Sequence, residues 1–262
     1  MATKTWLDVD GDWSNVANWG GSLPVDDDDV VIAAGSKSIT AGLNQSGINL
    51  HSLSITSGYT GNIGAPGASL QINVDGTTPT SFMVSMGGQF IYWSGTTEVD
   101  LTIGSTGSGG FYMTGGSFAS KKIVGGASGF ISVSSGVTMG DIYSAGAGFD
   151  VSSAFTNALL MGGNHTMRAA ITNLTLGANV GCTLKATTLS VSNVYAHRGS
   201  RLTTLCAGTI GSLNAYPGSQ FINGGSYDNT ITNLYQWVGS TQTLRAPNAV
   251  TTVTTTIPTG SK

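Results

Sequence analysis

Charge is what this sequence has least of. Of 262 residues, 10 are Lys or Arg and 13 are Asp or Glu, so 9 % of the chain is charged, against roughly 25 % in an ordinary soluble domain. Glu98 is the only glutamate. A long helix or coiled coil draws on abundant Ala, Glu, Lys, Leu and Arg, so neither is expected. Ten basic residues leave no patch for ordinary nucleic-acid binding. A net charge of -3 with a pI near 5.4 argues against a self-repelling disordered chain. Cysteine is nearly absent, and Cys182 and Cys206 cannot make a disulfide scaffold. Long apolar runs are missing too. Apolar residues reach 40 % but fall in short groups, none near the roughly 20 needed to cross a bilayer, so no membrane partner is expected. No apolar segment follows Lys4, so a cleavable export signal is not expected.

What is present instead is glycine, at 39 positions, with 31 Ser and 34 Thr. The glycines are irregularly spaced, which excludes collagen. Short alternating stretches recur between turns rich in Gly, Ser, Asn and Ala. They include Leu53-Ser54-Ile55, Leu70 to Val74, Val99 to Ile103, Phe130 to Val133, Leu174 to Leu176 and Leu189 to Val191. Apolar residues at i and i+2 lie on one face of a strand. Anchors at Leu53, Leu70, Leu101, Ile123, Ile142, Leu160, Leu174, Leu189, Ile210 and Ile231 are separated mostly by 14 to 22 residues, with one gap of 31. That spacing predicts an all-β fold, a parallel β-helix (β-solenoid) whose successive coils bury their inward side chains against one another. β-Sandwich or jelly-roll domains are the alternative, since they also give short alternating strands. The expected organisation is an N-terminal cap with the first strands at 1–50, solenoid coils at 51–250, and a C-terminal strand or tail at 251–262.

The first segment is distinct. It holds Trp6, Trp13 and Trp19, three of five tryptophans, and seven of thirteen acids. Asp8, Asp10 and Asp12 alternate around Gly11 with oxygen-ligand spacing that could wrap calcium, or they form a solvated turn. Asp26 to Asp29 reads as a solvated loop, with a metal or partner contact as the alternative. Val30-Val31-Ile32 reads as a buried strand.

Later residues offer candidate chemistry with plain alternatives. Glu98 and Asp100, at i and i+2 on one strand, would sit about 7 Å apart, which suits an inverting glycoside hydrolase pair. Tyr92 and Trp93 would then provide a stacking platform, and Asp75, Asp141, Asp150 and Asp228 could add carboxylates from other coils. Acids at i and i+2 on a solvated face are the simpler reading. His51, His165 and His197 are isolated. Cys182 and Cys206 could join a histidine on zinc or form a disulfide between coils, but two buried core residues one coil apart explain them more simply. Gly107-Ser108-Gly109-Gly110 lacks the Lys-Ser or Lys-Thr of a phosphate cradle. Arg168, Arg198, Arg201 and Arg245 suit a subunit interface or plain exposure. Phe82, Phe90, Tyr92, Trp93, Phe111, Tyr112 and Phe118 form an aromatic-rich middle, mostly core, with an outward subset suited to a protein or glycan contact. No catalytic, cofactor or metal residue is assigned, and no cofactor is expected beyond the candidate calcium.

Trp13-Ser14-Asn15-Val16-Ala17-Asn18-Trp19, Leu23-Pro24 and Asp28-Asp29-Val30-Val31-Ile32 together resemble the opening of β-helical adhesin-like proteins and of bacteriophage virion proteins built on β-solenoids. The resemblance covers residues 5–35. It implies an N-terminal cap followed by the first coil, and it transfers no catalytic residue. The expectation of no export signal favours the phage-like branch. The expectation is therefore a non-enzymatic virion structural protein, a capsid decoration or cement protein. Its expected partners are the major capsid protein and further copies of itself in a homotrimer. A tail fibre or surface adhesin binding a host-surface glycan, extracellular or at the cell surface, is the second expectation, and a polysaccharide depolymerase the third.

Overall fold

The computed structural model describes residues 1–76, 82–86, 88–97, 99–105, 109–118, 122–126, 129–186, 188–223, 229–243 and 249–255. The fold is all-β, a parallel β-solenoid. Two compact units divide the chain, Met1–Asp141 and Ile142–Lys262.

The first unit holds β1 (Thr3–Thr5), β2 (Asp29–Ile32), β3 (Asn44–Leu50), β4 (Ser52–Ile55), β5 (Leu70–Val74), β6 (Phe82–Met86), β7 (Phe90–Thr96), β8 (Leu101–Ser105), β9 (Gly110–Ser117), β10 (Lys122–Gly125), β11 (Phe130–Val133) and β12 (Val137–Thr138). Sheet I runs β1-β2-β4-β6-β8-β10 and sheet II β3-β5-β7-β9-β11, with β12 beside β9. Every pairing is parallel. From β2 to β11, neighbours in a sheet alternate in the chain, so each coil lays one strand on each sheet. Val30, Leu53, Phe82, Leu101 and Ile123 fall in one inward column and are all buried.

The second unit holds β13 (Asp141–Ser144), β14 (Gly148–Val151), β15 (Phe155–Leu160), β16 (Asn164–Met167), β17 (Ile171–Leu176), β18 (Gly181–Leu184), β19 (Thr188–Ala196), β20 (Arg201–Thr204), β21 (Ala207–Ala215), β22 (Gln220–Asn223), β23 (Asn229–Gln236), β24 (Thr241–Thr243) and β25 (Ala249–Thr255). Sheet III takes the odd-numbered strands and sheet IV the even-numbered ones, all parallel. In β19 the in-out alternation slips: Val191 and Val194 are buried while Ser192 and Asn193 between them both turn out. The strand bends there, and the amides of Asn157, Asn173 and Asn193 stack at the bend, Asn173 Nδ2 donating to Asn157 Oδ1 at 2.8 Å and Asn193 Nδ2 to Asn173 Oδ1 at 2.9 Å.

Corners are built from a recurring four-residue turn. His197-Arg198-Gly199-Ser200, Tyr216-Pro217-Gly218-Ser219 and Trp237-Val238-Gly239-Ser240 each close with the serine N–H donating to the first carbonyl, at 3.0, 3.0 and 3.1 Å. The third residue has φ of 72, 77 and 87°. That is the type II position where glycine carries no steric penalty and proline suits the residue before it. The serine hydroxyl bonds the same carbonyl, so the corner's polar groups are satisfied locally.

The N-terminal cap packs Trp6, Trp13 and Trp19 together, with Trp19 centred 4.7 Å from Trp13 and 5.2 Å from Trp6. Asn15 starts a short 3-10 helix, Val16–Trp19, by accepting from the Ala17 N–H, and Gly20 ends it at φ 69°. Trp19 Nε1 donates to the Trp13 carbonyl at 2.6 Å. Asn18 is fully buried. Its Oδ1 accepts from the N–H groups of Val9 and Asp10, and its Nδ2 donates to Asp10 Oδ1 and the Asp12 carbonyl. The Trp-Ser-x-x-x-Asn-Trp segment thus combines apolar bulk with a satisfied amide. The parallel ladder begins within residues 1–50, since β2 pairs β4 and β3 pairs β5.

Candidate functional site

Most acids of the first segment accept from backbone N–H groups. Residues 8–12 form a bend rather than a strand, with Asp12 in an isolated bridge to Ala41, and Asp8 sits at φ 58°, so the three carboxylates do not share a strand face. Asp8 accepts from the N–H groups of Ser36 and Lys37, and Asp12 from the N–H and hydroxyl of Ser14. Asp10 accepts from the Asp12 N–H and from Asn15 and Asn18, and these bonds hold its carboxyl below the usual range. Asp28 departs from the solvated-loop expectation. It is 3 % exposed and binds the N–H groups of Ala2 at 2.7 Å and Val25 at 3.2 Å. Asp26 caps the Asn49 N–H. Asp29 meets the Ser52 hydroxyl and His51 Nδ1, which lower its pKa. Among the described residues, no three His, Cys, Asp or Glu side chains converge as a metal site.

Of the enzymatic pair, Glu98 lies outside the described residues. Asp100 is half-buried immediately before β8. Asp75 follows β5, Asp141 opens β13, and Asp228 lies outside the described residues. Asp150 is engaged by Arg168, whose Nε and Nη2 reach its two oxygens at 2.6 and 2.8 Å.

The cysteines are both buried and unbonded, so the disulfide between coils does not form. Cys182 stacks in register with His165 below and Leu202 above, while the Cys206 thiol donates to the Leu184 carbonyl. They occupy different columns, which is why neither a bridge nor a shared metal set with a histidine is assembled. Burial pushes the Cys182 thiol up to about 12. His165 is buried against Phe149, accepts from the Phe149 N–H at Nδ1 and faces the Gly162 carbonyl with Nε2. A shallow hollow over Gly181 lies above it, lined by Asn164, Thr183, Arg201 and Thr203. Arg198 and Arg201 are exposed. Arg245 and the Gly107-Ser108 half of the glycine run lie outside the described residues.

The aromatic middle separates cleanly. Phe82, Trp93, Phe111 and Phe118 are core and pack edge to face, with centroids 5.2 to 6.5 Å apart. Phe90, Tyr92 and Tyr112 turn outward on sheet II, joined by Phe130, which the sequence reading did not include in this group. Tyr92 and Tyr112 stack at 4.6 Å and 14°. Tyr112 is also 6.2 Å from Phe90 and 6.0 Å from Phe130. Phe90, Gly110 and Phe130 share one column and Tyr92, Tyr112 and Ser132 the next. A Cβ at Gly110 would lie 2.8 Å from the Tyr112 ring, so the ring leans over the glycine and closes the gap between the two phenylalanines. A separate stack, His197, Tyr216 and Trp237, lines the corners of the second unit at 4.8 and 5.4 Å. The period of two marks Phe130 as outward, opposite in sense to Ile131 and Val133, so this residue was legible. Among the described residues no helix is long and apolar enough to cross a membrane. Compared with known proteins, the chain matches no family model, no curated protein and no solved structure, so the β-solenoid architecture is what stands established.

Proposed function

We propose that this chain is a non-enzymatic structural protein of a bacteriophage-type virion, a decoration or cement protein that seats on the major capsid protein as a homotrimer. The observation that carries this reading is the parallel ladder in which coil after coil repeats the same columns. Such a body is rigid along its backbone, and its polar groups are spent on its own corners and bends. The Trp-rich opening supports the same reading because it is built as a plug, with Asp8, Asp26 and Asp28 bonded to backbone N–H groups.

Antibody labelling and cryo-electron microscopy of the native particles test this. Density on the capsomers is the expected result. Density confined to a tail tip or to a cell envelope overturns it. The non-enzymatic part is tested with the purified chain against a panel of polysaccharides. Cleavage that is lost in Asp100→Asn would replace the structural role with hydrolysis.

A further inference from the structure

The outward rings of Phe90, Tyr92, Tyr112 and Phe130 form one continuous aromatic strip across β7, β9 and β11. Phe90 and Phe130 are 42 % and 40 % exposed. Exposed aromatic clusters of this kind mark contact sites rather than core. The surroundings define the chemistry of the contact. The other described outward positions of β5, β7, β9 and β11 are Gln71, Asn73, Ser94, Thr96, Thr114, Ser117 and Ser132 with glycines. None carries a charge. Burial and the neighbouring Tyr92 raise the Tyr112 pKa, keeping its phenol neutral.

We infer that this strip is a binding site for a neutral carbohydrate chain of a few sugar rings. A pyranose has an apolar C–H face and a polar hydroxyl rim. The strip offers the matching pair, ring faces to pack on and, beside them, the Gln71 amide and the Ser94, Thr96 and Ser132 hydroxyls to hydrogen-bond, while Asn73 and Thr114 are engaged within the chain. Acidic peptides, uronic-acid polymers and nucleic acids find no cation among the described outward residues of these strands. Size argues the same way. An aromatic side chain carries about 150–250 Å², so four rings, none of them more than half exposed, offer on the order of 300 Å². A stable protein interface needs about 800 Å² per partner. Gly110 is part of the site, because only its missing side chain lets Tyr112 lie between the two phenylalanines. This inference does not depend on where the chain sits on a particle, since the site lies wholly within the first unit.

The test is binding of the purified chain to neutral oligosaccharides (gluco-, manno- and galacto-hexaoses) and, as a contrast, to oligogalacturonate and sialylated oligosaccharides. Saturation-transfer NMR and calorimetry provide the readouts. At least one neutral hexasaccharide should bind, with transfer strongest to its ring C–H protons. Phe90→Ala and Phe130→Ala should each weaken binding about tenfold, and the double variant should abolish it. Both side chains are exposed, so an unchanged melting temperature and far-ultraviolet spectrum separate lost binding from lost folding. Tyr112→Phe, which keeps the ring, should retain binding within a few-fold. Three results overturn the inference: no neutral sugar binds; affinity survives in the double variant; or the parent instead self-associates or captures a protein through these rings.

Discussion

His165 shows how a single polar side chain behaves inside a chain with so little charge. Its Nδ1 accepts the Phe149 N–H at 3.3 Å and its Nε2 lies 2.7 Å from the Gly162 carbonyl, which assigns the proton to Nε2. Burial lowers its pKa. A second proton, on Nδ1, would turn an acceptor into a donor facing another N–H. With the folded pKa below the unfolded value of about 6.5, the unfolded chain takes up the proton first. Stability is therefore full above about pH 6.5 and falls as acid is added. Melting temperature should drop between pH 7 and pH 5, and His165→Gln should flatten that slope. A slope identical in parent and variant would show that His165 does not titrate with unfolding. In the sequence His165 stands isolated, with no sign of its burial against Phe149. That contact joins successive coils, and a residue-by-residue reading sees only one coil at a time.

Strands and corners show where the sequence was legible and where it was not. The pairs Leu53/Ile55, Leu101/Ile103, Ile131/Val133 and Leu189/Val191 were expected inward and are buried. The spacing was read less well. Leu70 stands on sheet II, and the residue continuing the column from Leu53 to Leu101 is Phe82, so the long gap joined positions on different faces. Leu189 likewise pairs Gly208, while the column from Leu174 passes through Val194, Leu213 and Leu234. Apolar anchors alone cannot tell one sheet from another, because both sheets bury the same residue types. A polar marker can. Ile171-Thr172-Asn173-Leu174 and Ile231-Thr232-Asn233-Leu234 repeat the bend, and the Gly-Ser corners at 199, 218 and 239 repeat the turn. Asn173→Ala breaks two amide bonds of the bend ladder, to Asn157 and from Asn193. It should cost about 1–3 kcal/mol, each bond being worth about 0.5–1.5, as measured by denaturant unfolding. A loss under a few tenths would make the ladder ornamental. Gly116 is a harsher position. It has φ 102° and a Cβ there would lie 1.7 Å from the Gly95 carbonyl oxygen. Gly116→Ala therefore should destabilise by more than the roughly 1–2 kcal/mol of backbone strain alone, whereas alanine at Gly136, where the space is open, should be nearly neutral.

At the scale of the whole molecule, few terms depend on ionic strength. Arg168–Asp150 is an ion pair, and the His51–Asp29 contact carries opposite charges only if His51 is protonated; both are partly exposed, where such pairs contribute little. Stability comes instead from buried columns and from hydrogen bonds between coils. Melting temperature in dilute buffer and in 0.5 M sodium chloride should agree within a few degrees, and a large fall with salt would point to charge networks as the main support. Most strand pairings join residues 16 to 29 apart in the chain, so none is a local hairpin and folding is expected to be slow.

Matching columns have a further consequence for the second unit. Thr188 pairs with Ala207 and Ala196 with Ala215, so the backbone leaves one storey at the point where it enters the next. Excising residues 188–206 would bring Ile171 opposite Ile210, Leu174 opposite Leu213 and Cys182 opposite Phe221, apolar on apolar, while Leu184 would meet Asn223 where it now meets Thr204. The shortened protein should still fold, with its β spectrum kept and its melting temperature lowered by a few degrees. Length in such a molecule is adjustable in whole storeys, so the distance it spans can change by deletion or duplication while each floor plan stays the same.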